Sequence, residues 1–225
     1  MKSISGYSNQ GIILGVLIVL LTITGCGGGG SSGSTSQTGI FLDSPVSGLG
    51  YFTDTQQGMT GTGGSFTYQN GERIHFFLGD IELCDVEAGP IVTPIDCVAG
   101  AVDETNPRVT NMLMFLQALD FDNDPQNGID ITPLMHQEAQ NLQLAQRLDF
   151  DCDPNEFREN YDFHHFLQLL NMQNAFQDHE DRVPPYFDQA RQHMRETIME
   201  NGLYGYGPGM QQRSSNVSSS YGTGQ

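Results

Sequence analysis

The residues best placed to do chemistry are carboxylates in two matching loops. Leu119-Asp120-Phe121-Asp122-Asn123-Asp124-Pro125 recurs 29 residues later as Leu148-Asp149-Phe150-Asp151-Cys152-Asp153-Pro154. Alternate aspartates in a loop turn their oxygens to one side, where they can wrap a hard cation such as Ca2+. The candidate calcium ligands are Asp120, Asp122 and Asp124, with Asn127 and Asp130 as further oxygen donors. The pattern departs from an EF-hand. Proline stands where the sixth position needs glycine, and Ile131 stands where position 12 needs a bidentate glutamate. The same residues have a second use, ending one helix and capping the next. Negative charge at a helix N-terminus contributes about 0.3–1 kcal/mol. Both readings stand for the first loop, and capping is the better reading of the second.

The other reactive side chains are less gathered. His164 and His165 are adjacent, so on a helix they point about 100° apart. With His179 and His193 they form no His-x-x-x-His pair, and they read as partly exposed helix histidines. Cys84 and Cys97 lie 13 residues apart in one β-like region and can pair in an oxidising compartment. Cys152 is then odd, and its acidic neighbours raise its pKa and blunt its reactivity. There is no Gly-x-Ser-x-Gly elbow and no phosphate-binding loop, and nothing singles out a general acid–base pair. With 27 acidic residues against 9 basic ones, the chain repels phosphate backbones, which argues against nucleic-acid binding.

The elements that must position these residues fall into two stretches. Residues 39–102 alternate short apolar runs with turns. Phe66 and Tyr68 share one strand face; Ile74, Phe76 and Leu78 share another. Asn70-Gly71 between them predicts a hairpin, and the apolar faces predict a small β-sandwich. Residues 103–201 carry helical spacing. Asn106-Pro107, Thr132-Pro133 and Asp153-Pro154 each place a capping residue before a proline at the first helical position. A fourth helix begins near Pro185 and stops at Asn201-Gly202. The expected fold class is α+β, a β-sandwich followed by a bundle of about four helices. The junction at 99–106 is short enough that the halves can also pack as one domain. Residues 202–225 are Gly, Ser, Tyr and Gln without an apolar period and read as a disordered tail.

The N-terminus gives an address. One Lys2 precedes an uncharged apolar run that ends at Ile23-Thr24-Gly25-Cys26, and 12 residues of mainly Gly, Ser and Thr follow. The run is shorter than the ~20 residues of a membrane-spanning helix and has the shape of a secretory signal. Ile-Thr-Gly-Cys resembles the lipobox of bacterial lipoprotein precursors. The resemblance implies cleavage after Gly25 and lipidation of Cys26, so that 1–25 is a signal peptide and 26–38 a lipidated tether. Gly27, rather than an aspartate, implies sorting to the outer membrane. SPVSGLGY and GTGGSFTYQNGERIHFFLGDIEL are similar to a module of uncharacterised bacterial surface lipoproteins and, more loosely, to the carboxypeptidase-regulatory, transthyretin-like sandwich. That resemblance brings no catalytic residue.

The function expected from these features is a non-enzymatic binding, adhesion or assembly role in the cell envelope. The membrane is reached through the lipid on Cys26, and the partner is an envelope protein or a glycan. A calcium-dependent binding module and an envelope hydrolase are the alternatives.

Overall fold

The computed structural model describes residues 35–203. The expected signal peptide (1–25), Cys26, most of the expected tether and nearly all of the expected tail lie outside the described residues. The first strand, β1 (Gln37–Phe41), begins two residues before the boundary expected at Gly39.

The alternation of buried and exposed side chains builds two sheets. In the first, β1 pairs antiparallel with β5 (Ser65–Tyr68) and parallel with β8 (Ile91–Val92). The second runs β4 (Gln57–Met59), β3 (Gly50–Phe52), β6 (Arg73–Leu78), β7 (Ile81–Glu87), all antiparallel. The inner faces meet through aromatic rings. Phe76 lies 4.6 Å from Phe41 and 5.1 Å from Phe66, centroid to centroid. Such pairs add about 0.5–1.5 kcal/mol each beyond the area they bury.

The Asn70-Gly71 turn forms, with Gly71 at φ +86° and the Glu72 N–H donating to the Gln69 carbonyl. It does not close a hairpin. Strand β5 pairs with β1, whereas β6 pairs with β3 and β7, so the turn crosses from one sheet to the other. Facing apolar surfaces on Phe66 and Phe76 favour that crossing over side-by-side pairing. The two-residue hairpin is instead at Gly79-Asp80, closed by Leu78 opposite Ile81. Gly79 sits at φ +59°, and a Cβ there would come within 2.8 Å of the Ala139 Cβ.

The helices are α1 (Pro107–Ala118), α2 (Pro133–Leu142), α3 (Pro154–Arg158), α4 (Tyr161–Met172) and α5 (Phe187–Glu200). The Asn106 side chain accepts from the Arg108 and Val109 N–H groups, and Asp153 accepts from Asn155. The third expected helix is two. A break at Glu159–Asn160 lets Asn160 cap α4 by accepting the Phe163 N–H. Helix α1 is buried on every side, from Val109 to Ala118. Its buried polar residues Thr110, Asn111 and Gln117 are each hydrogen-bonded, to Glu104, Phe150 and Asp43, as a helix in the middle of a protein requires.

The change from strand to helix near residue 102 is not a domain boundary. One apolar core runs from Phe41 through α1 to Met194. Strand β9 (Ile129–Asp130), from the helical half, pairs parallel with β2 (Val46–Ser47). The architecture is α+β, with sheets first and helices after, around that shared core. Cys84 on β7 and Cys97 in the loop after β8 are joined as a disulfide.

Candidate functional site

Helix α1 delivers the first aspartate. Its last turn ends at Leu119, and Asp120 follows, buried, where the chain leaves for β9. Two bonds close the loop: the Asp130 N–H donates to Asp120 Oδ1 at 3.1 Å, and the Phe121 N–H donates to the Asp130 carbonyl at 3.1 Å. Within it, Asp122 accepts from the Asp124 N–H at 3.1 Å and from the Asn127 amide at 3.0 Å. Those two donors hold the Asp122 carboxyl below the usual carboxylate range, the Asn127 bond contributing most.

Asp120 is pushed the other way, up to about 6. Burial is the main cause, and the Asp122 carboxylate against it adds to the rise. The backbone N–H groups of Asp130 and Asp124 offset part of that rise, and Asp120 Oδ2 is buried without a hydrogen-bond partner. A buried acceptor without a partner costs about 1–3 kcal/mol, and more when it is charged. Two carboxylates in contact need a proton or a cation between them.

The three expected ligands are not equally placed. Asp120 and Asp122 come together, while Asp124 is exposed and contributes its backbone N–H to Asp122. A buried arginine fixes the rear of the loop. The Arg182 guanidinium donates to the Asp120 and Phe121 carbonyls, both at 3.2 Å, and to Asp178 at 2.7 Å. It therefore holds backbone oxygens and leaves the Asp120 and Asp122 carboxylates to one another.

The second loop is built as a cap. Asp149 accepts the Asp151 N–H at 2.9 Å, Asp153 caps α3, and Asp151 pairs with Arg108 at 2.8 Å. Cys152 is free, and burial, helped by Asp149 and Glu156, pushes its thiol up. Of the histidines, His164 bonds the Arg158 carbonyl and His165 stacks on Tyr161.

His193 belongs to a buried clasp. Its Nε2 lies 3.0 Å from Ser44 Oγ and 4.0 Å from Asp43 Oδ1, and Asp43 Oδ2 accepts from the Gln117 amide at 3.0 Å. The composition is that of a serine hydrolase triad, but the carboxylate approaches the same ring nitrogen as the serine. A triad needs it on the opposite nitrogen, where it orients the ring. Ser44 also takes part in packing, its N–H donating to Thr197 Oγ1 at 3.2 Å.

One group escaped the reading of the sequence. Among the described residues, the three His, Cys, Asp or Glu side chains with ligand atoms within 4.8 Å of one another are His75, Glu82 and Asp85. Only the strand register, with its irregularity at Phe76/Phe77, brings them together.

No protein-family model, curated protein or solved structure matches this chain.

Proposed function

We propose that this protein is a non-enzymatic binding domain of the bacterial envelope, anchored in the outer membrane through a lipid on Cys26 and organised by a calcium ion at the Asp120 loop. The observation that carries the calcium reading is the buried, donorless Asp120 Oδ2 on a carboxylate pressed against Asp122. Calcium takes carboxylate oxygens in a flexible shell and completes it with water. Asp120 and Asp122 supply the anionic ligands, and the exposed Asp124 lies at the open side of the loop. The ion would brace the junction of α1 and β9, where the helical and β halves meet. Anchoring is supported by the apolar run ending at Cys26 and by the glycine-rich tether. The partner in this reading is an envelope protein or glycan.

Calorimetric titration of the chelator-treated domain with Ca2+ tests the site, alongside its melting temperature. Binding heat with a rise in Tm is expected, and Asp120→Asn abolishes both. No heat and an unchanged Tm would remove calcium from the proposal. Anchoring is tested separately by mass spectrometry of the N-terminal peptide from cells, with Cys26→Ser as control.

A further inference from the structure

We propose a second cation site, independent of the first, on the outer face of the four-stranded sheet. There His75, Glu82 and Asp85 take a divalent transition metal of the zinc class. The backbone sets the site up. His75 on β6 stands directly opposite Asp85 on β7, and Glu82 faces Phe77, two residues farther along β6. One imidazole thus faces two carboxylates, with Nδ1 2.7 Å from Glu82 Oε1 and Nε2 3.6 Å from Asp85 Oδ1. A neutral ring has one N–H and satisfies one of them. A divalent ion taking one ring nitrogen and one oxygen from each carboxylate, three atoms that lie within 4.8 Å of one another, satisfies both at once.

The ring is held in place before any ion arrives. Phe52, opposite His75 on β3, stacks flat on it at 4.4 Å with 3° between the planes. A stacked ring on a paired strand loses little freedom on binding, which favours affinity. One nitrogen and two carboxylate oxygens suit zinc and its neighbours in the first-row series better than calcium, which takes oxygen alone. Three protein ligands leave coordination positions open to water or to an incoming donor, as catalytic zinc sites do. The sheet face is exposed at Glu82 and Asp85, so such a donor has access.

A competitor is already present. Arg73 Nε donates to Asp85 Oδ1 at 2.7 Å, and a second guanidinium nitrogen donates to the Asp85 carbonyl at 2.8 Å. The Arg73 charge repels an incoming metal and occupies one ligand oxygen. This separates a metal site from a plain ion-pair cluster, because removing Arg73 strengthens the one and weakens the other.

The test is calorimetric titration of the folded domain with ZnCl2, in excess calcium so that the aspartate loop is not the zinc acceptor. Wild type should bind one zinc ion. His75→Asn and Glu82→Gln should each weaken binding at least about tenfold, and Arg73→Gln should tighten it several-fold. Glu82 is exposed, so its variant keeps the fold if His75→Asn does not. Absence of zinc binding overturns the proposal. So does binding that survives both ligand variants, or an Arg73→Gln variant that binds no better than wild type.

Discussion

Replacing Asp120 by asparagine should stabilise the protein in chelator and make it blind to calcium. The carboxyl rises from 3.8 to about 6 in the fold, chiefly through burial. A raised carboxyl favours the protonated native state. Its contribution is complete below 3.8 and is lost as pH rises through about 6. A shift of about 2 units corresponds to about 3 kcal/mol lost by pH 7. The substituted side chain carries no charge, and its amide can donate toward Asp122, so up to that amount is recovered. For a domain of this size this is roughly 6–12 °C in Tm. Asp43, also buried and also raised to about 6 mainly by burial, titrates with the same sign and stays in the variant. The variant should therefore keep the part of the pH dependence that Asp43 contributes, offset by groups of opposite sign such as His136, and not lose it all. Urea denaturation from about pH 4 to about 7.5 in chelator reads both quantities. Calcium at about 100 times its dissociation constant adds about 2.7 kcal/mol to wild type and nothing to the variant. A variant less stable than wild type at pH 7 in chelator, or one whose calcium response matches wild type, would refute this account of Asp120.

Two further perturbations probe the frame around the loop. His136 is neutral in the fold: Gly79 N–H donates to its Nδ1 at 3.0 Å and its Nε2–H donates to the Gly48 carbonyl at 2.8 Å. Burial lowers its pKa below 6.5, so its stabilisation is present above 6.5 and lost as pH falls through the lowered value, opposite in sign to Asp120. Nitrogen NMR should show the Nε2–H tautomer at pH 7, and His136→Ala should cost about 2–3 kcal/mol. Reducing the Cys84–Cys97 bridge, which closes a 13-residue separation, should cost about 3 kcal/mol on chain-entropy grounds. Thermal melts with and without reductant, in a Cys152→Ser background, measure it.

Features set by neighbouring residues were readable in the sequence. Asn106, Asp153 and the prolines after them start helices because a cap and a fixed φ act within one turn. Asn160 carries the capping half of that signal, with Tyr161 in place of a proline, and could have divided α3 from α4. Features set by distant partners were not readable. Asn70-Gly71 makes its turn from local preference, but which strands then pair depends on the rings across the sandwich. The pairing of β2 with β9 is two residues long and joins distant segments, Val46 meeting Ile129, too brief for any pattern. The aspartate loop could be suspected from its spacing, but the inequality of its three carboxylates could not. That depends on α1 carrying Asp120 into the core and leaving Asp124 outside. His75, Glu82 and Asp85 lack a linear signature because their meeting depends on the strand register.

The clasp between Ser44 and Thr197 spans 153 residues. A chain made from its N-terminus has Asp43 and Ser44 in hand long before α5 exists to cover them. Until then that carboxylate and the serine beside it lack the His193 and Thr197 side chains that enclose them. Contacts this far apart also slow folding, because the intervening chain must be ordered before they form. The fold is thus completed by its last helix.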